Sequence, residues 1–397
     1  MPDEPGPEEP TPDARPDVAL STIAKEWGRI GCTGFGGPPT HIAMLRRLTV
    51  ERHGWLDETE FEDAIAATNI LPGPASTQLA IFCAWRLRGV RGALVGGAFF
   101  ICPGLAAIIA LAAVFLATAP PFWIKGAALG AGAAVAAVAV NAALGLLPAS
   151  WRRAGGLPGR QARWVVFAMA GGLAAATVGT FLVLVLIGCG LVELAISGRP
   201  RPPTRLTGLV AAPLGVVAAG GMGALAWVAL KVGALSFGGG FVIIPLMQAD
   251  AVHHYHWMTN SQFLNAVALG QITPGPVVQT IAVVGYAAGG VAGALLGALI
   301  AFAPSFVFVF AGARHFGALR TNRLVQSFLG GAGPAAIGAI AGASIPLALA
   351  LTHGWQVVVL AGAALAIIGL RRSVVLTLVG AGLIGAVGAG LGLPIGA

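Results

Sequence analysis

Gly34-Phe35-Gly36-Gly37-Pro38-Pro39-Thr40-His41 opens a stretch that the chain carries twice. Phe35-Gly36-Gly37 is followed by Trp55, Phe61 and Pro72-Gly73-Pro74. Phe237-Gly238-Gly239 is followed by Trp257, Phe263 and Pro274-Gly275-Pro276. Each residue of the second set lies 202 positions after its mate, and 13 of 40 aligned positions are identical without a gap. The matches are mostly Gly, Pro and aromatic residues at fixed spacing, which marks a duplication. Neither break can continue a regular helix, because glycine is permissive and proline lacks a donor.

Around these two stretches the chain is apolar. Hydrophobic residues make up 57% of it and charged residues 10%, against about 25% charged in a soluble domain. Many apolar runs approach the roughly 20 residues that cross a bilayer. The expected class is therefore an all-α polytopic membrane protein, with the lipid bilayer as its surroundings. The 59 glycines suit close helix approach in lipid. The net charge of +8 belongs to short loops that orient helices, so nucleic acid is not a partner. Cys32, Cys83, Cys102 and Cys189 show no CxxC spacing and read as small buried hydrophobes.

In chain order, residues 1–17 read as a disordered tail, 18–198 as the first repeat, 199–219 as a linker with an extra apolar segment, and 220–397 as the second repeat. Each repeat begins with an interrupted helix, Val18 to Leu45 in the first. Asp57 and Glu60, like Thr259 and Gln262, have the spacing of a helix cap, so a helix starts there in both repeats. It ends at Pro-Gly-Pro, and a second apolar arm follows, Ala75 to Leu87 in the first repeat. Each arm is about 18 Å long at 1.5 Å per residue, too short to cross. The pair forms either one broken crossing helix or a re-entrant hairpin. Arg46, Arg47 and Arg52 before it and Arg86, Arg88 and Arg91 after it place both ends on one side and favour the hairpin. Further spans follow at about 92–118, 124–148, 164–178 and 180–197.

Loop charge reverses in the second half. The loop from Asp250 to Asn260 has no Lys or Arg, and basic residues appear instead at Arg314, Arg320, Arg323, Arg371 and Arg372. The halves are expected to be inverted-topology repeats, the signature of a secondary transporter whose site lies where the repeats meet. If Leu206 to Ala219 spans, the segments number six, one and six; if it does not, the first interrupted element must cross instead.

The breaks create helix N-termini with free N–H groups and partial positive charge, which suit an anion. Polar residues sit beside them: Thr33, His41, Asn69, Thr77 and Gln78 in the first repeat, Ser236, Gln271, Thr273 and Gln279 in the second. Arg29 and Lys231 occupy equivalent positions before the breaks and are the expected full positive charges of the site. The run His253-His254-Tyr255-His256 reads as a solvated loop without a metal, and Glu193 as a partner of Arg199. No HExxH, Walker or nucleophile-elbow pattern is present, so an enzyme is not indicated and no cofactor is called for.

Gly36-Gly37-Pro38 with His41, Ser236-Phe237-Gly238-Gly239-Gly240 and the paired Pro-Gly-Pro triplets resemble the chromate transporter (CHR) family in its long two-domain form. The resemblance covers nearly the whole chain after Ala19. It implies a bacterial inner-membrane efflux system for chromate, driven by the proton-motive force and conferring chromate resistance. The implied partners are chromate or a sulfate-like oxyanion and protons, with a homodimer left open. An anion channel on the same fold is the alternative. Pro38 stands where the second repeat has Gly240, so the halves are not assumed to hold equal sites. The expected substrate-binding set is Arg29, Thr33, Phe35, Gly36, Gly37, His41, Asn69, Pro72, Gly73, Pro74, Thr77 and Gln78, with Lys231, Ser236, Phe237, Gly238, Gly239, Gln271, Thr273, Pro274, Gly275, Pro276 and Gln279.

Overall fold

The structure is a computed structural model that describes residues 18–69, 71, 73–117, 119–155, 158–177, 181–197, 221–236, 241–312 and 322–395. The expected tail at 1–17 and the segment Leu206 to Ala219 lie outside these residues. Among the described residues the secondary structure is helical, without strands. The first repeat contains α1 (Leu20–Thr33), α2 (Pro38–Arg46), α3 (Glu58–Thr68), α4 (Ala75–Phe115), α5 (Phe122–Ala133), α6 (Val135–Ala154), α7 (Pro158–Thr177) and α8 (Leu182–Ser197). The second contains α9 (Met222–Ala234), α10 (Ile243–Gln248), α11 (Asn260–Ile272), α12 (Thr280–Gly312), α13 (Arg323–Leu349), α14 (Gly354–Ala364) and α15 (Val374–Gly390).

Among the described residues, four helical stretches are long and apolar enough to cross a membrane: Ala75–Phe115, Phe122–Ala154, Val277–Gly312 and Arg323–Leu349. Their outer faces carry large apolar side chains that water would not tolerate in such number, among them Leu94, Leu144, Leu299 and Leu349. A soluble monomer seldom exposes contiguous apolar patches of this kind. The protein is a multi-pass helical membrane protein.

The duplication reaches into local geometry. Asp57 caps α3 by accepting the Glu60 N–H at 2.7 Å. Thr259 and Gln262 close a full capping box on α11, with bonds of 3.2 and 2.9 Å. A widened π turn follows α2 at Arg47–Arg52 and α10 at Ala249–His254. Trp55 stacks on His53 at 4.3 Å, and Trp257 on Tyr255 at 4.6 Å. Both long helices break soon after the Pro-Gly-Pro tips. In α4 the break is at Arg88 and Gly89, with the arm ending at Leu87 as expected. In α12 it is at Gly289 and Gly290. Glycine at the second position meets the positive φ, 58° and 63°.

Packing interlocks the repeats. α7 and α8 lie against α13, while α14 and α15 lie against α5. Small residues permit this: Gly171 abuts the Ala335 carbonyl, and Gly126 abuts the Gly385 carbonyl, with no room for a Cβ at either. Without a hydrophobic drive between helices in lipid, such close contact supplies the attraction.

Two expectations need correction. Cys83 and Cys189 are buried, but Cys32 and Cys102 are exposed, because their helices present them on the outer face. Glu193 pairs with Arg163, at 2.7 and 3.1 Å, since the α7–α8 packing brings that arginine across. Arg199 lies outside the described residues.

Candidate functional site

Gly73 and Gly275, the middle residues of the two Pro-Gly-Pro triplets, each bond to the residue that precedes the Phe-Gly-Gly of the other repeat. The N–H of Gly73 donates to the carbonyl of Ser236 at 3.1 Å. The N–H of Gly275 donates to the carbonyl of Gly34, also at 3.1 Å. Each tip therefore bonds to the break of the other repeat, at equivalent positions. The tip glycines have φ of 118° and 109°, which side-chain-bearing residues rarely adopt. Beneath them sit Gln78 and Gln279, whose amides occupy the space a Cβ would need.

His41 ties the first break together. Its ring is buried, with Nε2 at 2.8 Å from the Gly34 carbonyl and Nδ1 at 3.3 Å from Ser76 Oγ. These partners assign the proton to Nε2, which donates to the carbonyl, while Nδ1 accepts from the serine hydroxyl. Phe100 packs edge-on against the ring at 5.0 Å. The second repeat has Ile243 at the position equivalent to His41, so this staple belongs to one half only.

A cavity of about 350 Å³ opens beside the break. Gly36, Gly37, Pro38 and Pro39 form one wall, and Asn69, Gln271, Asn141 and Phe241 contribute to the others. Asn69 and Gln271 are equivalent positions in the two repeats. Among the described residues, no charged side chain lines it. α2 starts at Pro38 and points its N-terminus at the cavity, and among the described residues the N–H groups of Gly36 and Gly37 make no backbone hydrogen bond. Gln271 Nε2, Thr77 Oγ1 and Ser236 Oγ are buried polar atoms with no hydrogen-bond partner among the described residues. Buried polar atoms are nearly always paired, and one that is not calls for a ligand, water or ion.

Other expected residues are committed elsewhere. Thr33 and Thr273 hydroxyls donate to the carbonyls of Arg29 and Leu269 in their own helices, at 2.8 Å each. Gln279 Nε2 donates to the Ile101 carbonyl at 2.9 Å. Phe35 is exposed, while Pro74 and Pro276 are buried behind the tips. Pro72, Phe237, Gly238 and Gly239 lie outside the described residues. Arg29 and Lys231 do not share the cavity. Arg29 is exposed and lies 3.7 Å from Glu26; with Arg47 and Arg52 it lines a separate cavity of about 250 Å³. Lys231 Nζ is 2.6 Å from Asp250 Oδ2, whose side chain is only 7% exposed. Sequence reasoning missed Asn141, the one amide in the apolar run from Val135 to Leu147, and missed Asp250 as the partner of Lys231.

Comparison with known proteins now bears on this geometry. The family model described as chromate transporter matches residues 21–194 and 223–386. The chain belongs to the chromate transporter family. Each of the two matched segments contains one copy of the Gly-Gly and Pro-Gly-Pro stretch. A chromate transport protein of Cupriavidus metallidurans is 30% identical over 345 residues, covering 84% of each chain. A probable chromate transport protein of Synechococcus elongatus is 28% identical over 85% of this chain and 87% of its own. A chromate transport protein of Pseudomonas aeruginosa is 29% identical over 84% of this chain and 82% of its own. No solved structure matches the chain. Membership makes this protein a transporter, and a cavity of neutral donors fits an oxyanion cargo.

Proposed function

We propose that the protein is a secondary transporter that exports chromate across the bacterial inner membrane, driven by the proton-motive force and conferring chromate resistance. The observation that carries this reading is the uncharged cavity beside the break, where equivalent amides of both repeats face the N-terminus of α2. Asn69, Gln271 and Asn141 offer N–H donors, the backbone at Gly36 and Gly37 offers more, and the helix end adds partial positive charge. A tetrahedral dianion is the ligand such a set suits. Sulfate has the same shape and charge and is the expected competitor.

Inverted repeats explain how equivalent residues meet across one site. The reading draws support from helix direction. The C-terminal end of α6 (Ser150, Arg153) and the N-terminal end of α13 (Gln326, Leu329) line one cavity. Phe122–Ala154 and Arg323–Leu349 are equivalent stretches, so their opposite ends lie together. Re-entrant hairpins draw support from the short arms, α3 with 11 residues and the α4 arm that stops at Arg88. At 1.5 Å per residue α3 is about 16 Å long, half a bilayer core.

In this mechanism Arg29, Arg47 and Arg52 gather anions at a cytoplasmic vestibule, where three guanidinium groups outnumber the one carboxylate of Glu26 and the excess positive charge raises local anion concentration. The anion then exchanges its water for the neutral donors of the central cavity. Lys231 and Asp250 form a largely buried ion pair between α9 and the turn after α10, the kind of pair through which pumps and transporters pass protons. The deciding experiment is uptake of radiolabelled chromate into inverted vesicles with and without an imposed pH gradient. Concentrative uptake that vanishes when the gradient is collapsed, and that sulfate inhibits, is expected. Flux that only follows the chromate gradient would make the protein a channel, and absence of chromate flux would remove the substrate.

A further inference from the structure

A second cavity, of about 340 Å³, lies away from the breaks among the ends of α6, α7, α8 and α13. Arg153, Arg160, Arg163 and Glu193 are its charged residues, set against Trp164 and Phe167. Arg163 is already committed: its Nε and Nη2 reach the two Glu193 oxygens at 2.7 and 3.1 Å. Ser197 donates to the same carboxylate at 2.7 Å, so Glu193 is satisfied. Arg153 makes only a 3.4 Å contact with the Ala149 carbonyl of its own helix. Arg160 makes no ion pair or side-chain hydrogen bond among the described residues. The cavity thus holds two guanidinium groups in excess of its one carboxylate, and the N-terminus of α7 adds its partial positive charge.

The cavity is itself amphiphilic: Trp164 and Phe167 lie on the same face of α7 as Arg160 and Arg163, at spacings of three and four. Val166, Met169 and Leu173 form an exposed apolar stripe on the other side of that helix. A pocket that sets guanidinium groups beside aromatic side chains matches an amphiphile, with its headgroup on the arginines and the start of its chains on Trp164 and Phe167. Guanidinium groups bind phosphate through paired, charge-assisted hydrogen bonds. The basic loop at Arg152–Arg163 places the pocket in the leaflet that faces the cytoplasm, where acidic lipids gather basic clusters.

We propose that this cavity is a binding site for a phosphate group, presented by an acidic phospholipid or as the free ion, held by Arg153 and Arg160. The aromatic wall of Trp164 and Phe167 favours the lipid. The site is separate from the chromate cavity, and its test does not depend on transport.

The experiment uses the purified, delipidated full chain, titrated in separate arms with phosphatidylglycerol, phosphatidylcholine and inorganic phosphate. Binding is read by native mass spectrometry and by the shift in melting temperature. Phosphatidylglycerol should bind the parent and raise its melting temperature, and phosphatidylcholine should not. The double variant Arg153→Gln, Arg160→Gln should bind phosphatidylglycerol about 25-fold more weakly, about fivefold for each arginine near an acidic surface. Arg153→Lys with Arg160→Lys should retain most binding, which separates charge from misfolding. If inorganic phosphate alone gives the arginine-dependent shift, the occupant is the free ion. If neither phosphate source distinguishes parent from the glutamine variant, the proposal is overturned.

Discussion

Replacing Gly275 with Ala tests whether the tip must keep its shape for transport. Gly275 has φ of 109°, and holding a side-chain-bearing residue there costs about 1–3 kcal/mol. The new Cβ would also stand 2.9 Å from both terminal atoms of Gln279. Gln279 is 1% exposed and its amide donates to Ile101. Displacing it costs a further amount of about 1–3 kcal/mol, the penalty of a buried polar group left unmade. The sum, about 2–6 kcal/mol, lowers the population of the native tip by at least about 25-fold. Chromate uptake per unit of protein in the membrane should fall by that factor or more. Gly290→Ala is the control: its φ of 63° is strained too, but its Cβ meets nothing within 4 Å. It should retain about fivefold more activity than Gly275→Ala. The double variant Gly275→Ala, Gln279→Ala removes the collision and keeps the strain, so it should recover part of the loss. Parental uptake by Gly275→Ala would refute the reasoning, because the tip would then tolerate a side chain that the geometry forbids.

Asn69→Leu and Gln271→Leu should each raise the KM for chromate about 5- to 100-fold, since each removes a donor worth about 1–3 kcal/mol to a desolvated anion; an unchanged KM in both places the anion elsewhere. Asp250→Asn strands the Lys231 charge and should destabilise the protein by about 3–5 kcal/mol, measured as a lower melting temperature. It should also blunt the response of transport to a pH gradient, and full retention of that response would take the pair out of coupling. Single cysteines at Arg47 and Arg371, in a background lacking the exposed Cys32 and Cys102, should be shielded from an impermeant external thiol reagent. One at His254 should react, and labelling of Arg47 and His254 positions from the same side would sink the inverted topology.

Much of this was legible in the residues because glycine and proline dictate backbone behaviour directly. The interruption at Gly34 to Gly37, the helix ends at the Pro-Gly-Pro tips, the arm ending at Leu87 and the caps at Asp57 and Thr259 all follow from local chemistry. The cross-bonding of the tips did not show. It uses backbone N–H and carbonyl groups of distant segments, which leave no side-chain signature. The offset also misled. It equates Arg29 with Lys231, but it equates Leu48 with Asp250. The second repeat therefore holds its cation against a buried carboxylate, whereas Arg29 is exposed and reaches only Glu26 of its own helix, 3.7 Å away. Asn141 escaped because it stands alone in an apolar run and lies far in sequence from every motif.

The separation of full charges from the central cavity has a physical consequence for a carrier. Attraction between a dianion and a fixed cation grows severalfold where water is excluded. A guanidinium in the cavity wall would hold chromate at the cost of releasing it, and a site that conducts must bind loosely enough to let its ion leave. Here the exposed arginines stand in the vestibule, where solvent screens them and they serve capture. Lys231 is matched by Asp250 at 2.6 Å, so its charge contributes little to the cavity while both groups stay ionised. Protonation of Asp250 would leave Lys231 uncompensated and raise the local potential felt by an anion. If the proposed proton coupling runs through this pair, it would link the gradient to anion affinity, with neutral amides and backbone N–H groups making the contacts. The second repeat, which keeps the ion pair and lacks the His41 staple, would then be the half whose packing changes, and the first repeat the half that holds the cavity wall in place.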